Sequence, residues 1–367
     1  MVDPRVEKMA AVLVDYSLDV QPGQLMLLQA MPEAEPLVLE VYRRALRRGA
    51  HVDARISLPG LAETYLRNAS DEQLRHVSPT DELVTERYDA FLRIGADVNT
   101  RALTSVDPVK LVTAQAARDH LTARFMERAA RGELRWCATM FPTHAYAQDA
   151  EMSLAEYEDF LFTACRVTEP DPVAAWREQR EFQARLIEWL APRRELRLVG
   201  PDTDLTLSIE GRTFINAYGD SNFPDGEIFT GPVEESANGT VRFAYPATAG
   251  GREVEDIRLW FEQGRIVKAT ASKNEEYLLK MLDTDAGSRR LGELGIGTNF
   301  GITRFTRNTL LDEKIGGTVH LAVGRSYPET GGRNASAIHW DMVCDLRRGG
   351  EILVDGQVFA KDGTFVV

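Results

Sequence analysis

Two of the six histidines stand where they could do chemistry. His320 lies in GTVHLAVG and His339 in SAIHWDMVCD, both apolar segments of strand character. Residues two apart on a strand project from the same face. His339 and Asp341 therefore point together, with Asp345 on the same side if the strand stays regular. An imidazole and a carboxylate on one face of an apolar strand are costly to bury without partners. A metal ion is one solution and a plain His–Asp hydrogen bond is the other; the pattern alone leaves both open. Two acidic residues widen the choice. Glu227 follows Pro-Asp-Gly turn chemistry in NFPDGEIFTGP, and Glu293 is flanked by glycines and apolar residues in RRLGELGIGTN. Each alone reads as a turn or surface carboxylate. Together, Glu227, Glu293, His320, His339 and Asp341 make an oxygen and nitrogen donor set suited to borderline divalent ions such as zinc, cobalt or manganese. Their separations are long, and no H-E-x-x-H helix is present. Tyr327, in GRSYPETGG, is either a packing or surface tyrosine or a phenol that donates to a developing oxyanion.

Other chemistries find less support. No G-x-S-x-G elbow occurs. Cys344 is near His339 and Asp341 but an odd number of positions from both, so a strand turns it away from them. GELGIG, residues 292–297, imitates part of a glycine-rich fingerprint, but GxGxxG is absent and no GKS or GKT follows. Structural calcium at the acidic turns would make the chain a binding module, but calcium prefers oxygen and histidine ligands argue against it. His51, His76 and His120 lie in polar contexts and read as surface or capping residues.

The elements that would carry these residues fall into two textures. Residues 6–14 have helical periodicity, stopped by Pro22-Gly23. Residues 24–29, 51–56, 88–94 and 134–140 read as strands. Residues 33–48 form an amphipathic helix ending at Gly49, and residues 107–131 form one long helical stretch. Strand and helix alternating in this way predict an α/β domain with a largely parallel sheet. Pro170-Asp171-Pro172 breaks the chain, a helix follows over 173–190, and the domain boundary is expected at 194. Beyond it, segments 196–199, 205–209, 241–245, 257–261, 267–269 and 318–323 are short, alternating and punctuated by glycine. Asp355-Gly356 and Asp362-Gly363 are hairpin signals. Residues 195–367 thus read as an α+β, antiparallel-rich domain with one helix over 274–282, and residues 1–194 as the α/β domain.

Composition sets outer bounds. At 367 residues, two domains is the natural expectation. The net charge of -13 disfavours nucleic acid, whose phosphates call for a basic patch, and anionic membranes. RRALRRG, residues 43–49, is the densest basic run and reads as the solvated face of a helix. The three cysteines match no zinc-finger spacing, and an odd count argues against a disulfide framework. MVDPRVEKMA carries charges where a signal peptide needs an apolar run, and no apolar stretch reaches spanning length. A cytoplasmic protein is the expectation.

At its motifs the chain resembles the aminopeptidase T family of dinuclear metallopeptidases, to which aminopeptidase S also belongs. The matching segments are NFPDGEIFTGPVEESANGTVRF, RLGELGIGTNFGI, LLDEKIGGTVHLAVGRSY and GGRNASAIHWDMVCDLR, with VLVDYSLDVQPGQLMLL and FPTHAYAQDAEMSLAEYEDF in the first half. They cover essentially the whole chain. The resemblance implies two divalent metal ions per chain (zinc, cobalt, manganese or magnesium), with Glu227, Glu293, His320, His339 and Asp341 as ligands. It implies that Glu293 bridges the two ions and that Tyr327 is the active-site tyrosine; with metal-activated water, either Glu227 or Glu293 is the expected general base. It also implies a catalytic C-terminal domain, a homodimer with an enclosed cavity, and short peptides with free N-termini as substrates. Hydrolysis of another amide, or metal binding without catalysis, are the competing expectations.

Overall fold

The computed structural model describes residues 3–367. The chain divides into two compact units, residues 1–175 with 219–224, and residues 176–218 with 225–367. The division falls earlier than the expected boundary at 194, and it passes through the long helix Pro172–Leu190. The reason is which core the helix serves. Leu186 and Leu190 are buried in the hydrophobic core of the second unit.

The first unit carries a five-stranded sheet in the order His51–Ile56, Leu25–Ala30, Ala90–Gly95, Arg135–Met140, Asn222–Phe223. All four pairings are parallel. Parallel neighbours need crossovers, and helices such as Glu35–Arg47 supply them. Met26, Leu28, Leu92 and Ile94 are buried on the central strands. The expected α/β domain is therefore present. The stretch over 107–131 is two helices rather than one, Pro108–Ala116 and Asp119–Ala130. The Arg118 guanidinium donates back to the Ala114 carbonyl at 2.7 Å across the break. No glycine or proline marks that turn. His51, His76 and His120 are exposed.

The second unit is rich in antiparallel pairing. An eight-stranded sheet runs in the order Arg265–Thr270, Ile257–Glu262, Asn238–Phe243, Thr203–Ser208, Glu195–Gly200, Glu351–Val354, Gln357–Lys361, Thr364–Phe365. Both expected hairpin turns close here. Asp355-Gly356 and Asp362-Gly363 each have positive φ at both residues, as a type I′ turn requires. A second sheet of five strands runs His339–Asp345, Thr318–Gly324, Leu291–Gly297, Glu227–Thr230, Ile215–Ala217, antiparallel throughout. Residues from both sheets and from the Glu275–Leu282 helix share one hydrophobic core. The three cysteines are buried and none forms a disulfide. Among the described residues, no helix is long and apolar enough to cross a membrane.

Candidate metal centre

Strand alternation sorts the five-stranded sheet into two faces. Ile228, Leu294, Ile296, Val319, Leu321, Val323, Trp340, Met342 and Cys344 all enter the hydrophobic core. The intervening residues on the same four strands face the other way: Glu227, Glu293, His320, His339 and Asp341. Pairing then brings them side by side. Gly295 lies opposite His320, and Ala322 opposite Asp341. Gly295 is required there, because a Cβ at that position would stand 1.9 Å from Cε1 of His320. GELGIG is thus the middle strand of the site, with its second glycine making room for an imidazole.

The donor atoms converge. Glu293 faces both imidazoles, with Oε1 3.1 Å from Nε2 of His320 and Oε2 3.3 Å from Nε2 of His339. Glu227 Oε2 lies 3.5 Å from Nε2 of His320, and Asp341 Oδ1 lies 3.5 Å from Nε2 of His339. Two trios therefore share Glu293: Glu227, Glu293 and His320, and Glu293, His339 and Asp341. Within each trio the donor atoms lie within 4.8 Å of one another. Glu313 forms a third such group with His320 and Asp341.

Backbone carbonyls orient both rings. Nδ1 of His320 donates to the Glu313 carbonyl at 3.1 Å, and Nδ1 of His339 to the Arg325 carbonyl at 2.8 Å. With Nδ1 turned to a carbonyl, Nε2 is the nitrogen that faces the carboxylates, the usual orientation of ligating histidines. Glu227 is held from behind. Gln183, fully buried on the long helix, donates to the Glu227 carbonyl at 2.7 Å.

The electrostatics favour a cation. Burial opposes charge on both imidazoles, yet the facing carboxylates raise them: Glu293 and Glu227 for His320, Asp341 and Glu293 for His339. Burial also works against the Glu293 carboxylate, but the two imidazoles hold it well below the usual range. Burial pushes the Glu227 carboxyl up, against the pull of Lys314. Two oxygens, Glu227 Oε2 and Asp341 Oδ1, are buried without a hydrogen-bond partner. A buried carboxylate oxygen left unpaired is costly, and a divalent ion beside it removes that cost. The residues present fit such an ion.

Tyr327 stands at the edge of this cluster. Its ring meets His339 edge-on at 5.2 Å and lies 5.6 Å from Phe229. Burial first, and then the nearby carboxylates, raise its phenol, which stays protonated and able to donate. The structure thus places all five expected ligands and the tyrosine in one locality. Asp345 is apart from them, engaged by the Tyr245 hydroxyl at 2.9 Å and by Arg347. Cys344 faces the core, away from His339. Sequence reading passed over Glu313, Lys314, Gln179 and Gln183. The glutamines did carry a signal. Trp176, Gln179, Gln183, Leu186 and Leu190 share one helical face at three- and four-residue spacing, so two amides occupy apolar positions.

Carboxylates and imidazoles gathered on one sheet face, with orphaned oxygens among them, have the donor chemistry of a carboxylate–histidine site for divalent metal. Comparison with known proteins narrows the class. The family model described as Thermophilic metalloprotease (M29) matches residues 2–365. The chain belongs to that family and is an enzyme of the metallopeptidase class. It is 29% identical over 402 residues to Aminopeptidase 2 of Geobacillus stearothermophilus, covering 98% of this chain and 95% of that protein. It matches the solved structure of wild-type AmpT from Thermus thermophilus with a TM-score of 0.84 and 27% identity, covering 99% of each chain. A 2,5-dihydroxypyridine dioxygenase from Pseudomonas putida KT2440 matches with a TM-score of 0.60 at 16% identity, over 100% of this chain and 99% of that one. That second likeness concerns the fold alone.

Proposed function

We propose that this chain releases N-terminal amino acids from short peptides, using two divalent ions held by Glu227, Glu293 and His320 and by Glu293, His339 and Asp341. The observation that carries the reading is the pair of trios sharing Glu293, each with one buried oxygen that lacks a partner. Family membership and the aminopeptidase relatives support it. Ions bound there supply Lewis acidity, which lowers the pKa of a water molecule and polarises a carbonyl.

The chain's own residues do the rest. Glu293 offers one oxygen to each half of the site, as a bridging ligand must. Glu227 or Glu293 takes the proton of the attacking water and returns it to the leaving amine. The Tyr327 phenol, protonated and at the cluster's edge, donates to the oxygen that gains charge. The Nδ1 hydrogen bonds keep each ring from rotating during these steps. In this reading residues 195–367 form the catalytic domain, and the long helix Pro172–Leu190 that precedes them lends Gln183. The family resemblance also supports a cytoplasmic homodimer as the working form.

The test is to strip the full chain with a chelator, restore zinc, cobalt, manganese or magnesium one at a time, and assay matched free and N-acetylated aminoacyl substrates. The expected result is uptake of about two equivalents per chain, activity that returns with metal, and inert blocked substrates. Blocked substrates cleaved as fast as free ones would make the chain a hydrolase of some other amide. Metal uptake without turnover on any amide would reduce it to a binding module.

A further inference from the structure

Lys314 is the anomaly beside this site. Its side chain is fully buried, 0% exposed, and its Nζ lies 3.2 Å from Glu227 Oε1 while also pairing with Glu313. Lysine is almost never fully buried unless paired. Stability does not call for it, because well-packed apolar residues usually serve a buried position as well as an ion pair does. The backbone around it is fixed. The Asn299 amide donates to the Lys314 carbonyl at 3.1 Å, and the Lys314 amide to the Leu311 carbonyl at 3.1 Å. Gly297 lets this segment lie flush on the Glu293 strand, since a Cβ there would stand 2.1 Å from the Ile315 carbonyl oxygen. The ammonium therefore reaches Glu227 from a rigid base.

The contact divides the two oxygens of Glu227. Oε1 takes the ammonium, whereas Oε2 faces His320 and has no hydrogen-bond partner. Glu293 differs, because each of its oxygens faces an imidazole. We propose that Lys314 is a positioning residue that occupies one oxygen of Glu227 and so presents the other alone to the metal ion shared with His320. Glu293 would then offer an oxygen to each ion and Glu227 a single oxygen to one, and Lys314 enforces the difference. Glu313 serves as its counter-charge, while its backbone carbonyl orients His320 from the same segment.

The inference rests on the metal-site reading above, and the test separates the two. The metal-stripped full chain and its Lys314→Met variant are titrated with zinc against a competing chelator, and with cobalt while visible absorption is followed. The expected result is two equivalents in the parent, with one of them bound about 10–100-fold more weakly in the variant. The cobalt bands should also weaken, as Glu227 becomes free to bind through both oxygens and the coordination number rises. Unchanged affinity at both equivalents with unchanged bands overturns the role of Lys314 and leaves the metal site standing. A parent that takes up no metal sinks the metal-site reading itself. If Lys314→Met does not fold, the double variant Lys314→Met/Glu313→Gln removes both charges of the pair and should show the same selective loss. Failure of both to fold assigns Lys314 to folding and overturns the proposal.

Discussion

The two faces of the five-stranded sheet are chemically opposite although each holds fully buried side chains. Leu321 is 0% exposed and His320, its neighbour in sequence, is 1% exposed. Leu294 is 0% exposed and Glu293 is 5% exposed. Burial therefore does not separate core from site; partners do. On one face, apolar side chains meet apolar side chains from the eight-stranded sheet. On the other, each carboxylate meets an imidazole or an ammonium, and two oxygens have no hydrogen-bond partner. A strand with period-two alternation thus anchors a polar cluster by the same residues that build the core. The strands are held rigid from behind, which is what a pre-organised site requires.

The sharpest way to break the comparison is Glu293→Gln. The amide keeps the shape and removes the charge that both imidazoles face. Turnover should fall about 10²–10⁴-fold, with far-UV circular dichroism unchanged. Wild-type turnover with metals still bound would remove Glu293 from the chemistry. Next in size is a change on the opposite face. Leu321→Ala should cost about 2–5 kcal/mol of stability, measured by urea unfolding, yet the folded variant should keep the parent's metal content. Loss of metal from a well-folded Leu321→Ala chain would mean that the two faces are not independent.

Legibility in the sequence followed the range of the interaction. His339 and Asp341 were readable because alternation is local, and the same rule turned Cys344 toward the core. The hairpins at Asp355-Gly356 and Asp362-Gly363 were readable for a similar reason, since the turn itself demands positive φ. Glu227 and Glu293 were not readable from their neighbours. They reach the cluster only through pairing between strands far apart in the chain, and family resemblance was what singled them out. Lys314 was invisible, because a lysine beside a glutamate ordinarily reads as solvated surface. The break at Arg118 was equally silent, since a side chain rather than a glycine or proline closes that turn. The boundary at 194 followed the Pro-rich end of the long helix, whereas the packing of Leu186 and Leu190 decides where the second unit begins.

The smallest expected effect asks whether register alone holds the site. Asp285 lies just before the Glu293 strand. Its Oδ2 accepts from the Ala337 amide at 2.7 Å and the Ser336 hydroxyl at 2.9 Å, just before the His339 strand. Its Oδ1 accepts from the Gly287 and Ser288 amides at 2.9 and 3.0 Å. One carboxylate thus ties together the approaches to two strands that face each other's ligands. The hydrogen bond from Ala337, opposed by burial and helped by Ser336, Ser288 and Gly287, lowers its pKa to about 2. A folded pKa below the unfolded value means that the carboxylate contributes stability above about pH 4. That contribution is lost as the pH falls through about 2. Asp285→Asn should therefore cost about 1 kcal/mol at neutral pH, solvent screening included. The gap between variant and parent in urea-unfolding experiments should close as the pH is lowered from about 4 toward 2. A gap that stays constant with pH would show that Asp285 acts by shape and not by charge. A gap at neutral pH accompanied by unchanged metal affinity would show that the four site strands hold their register without this tie.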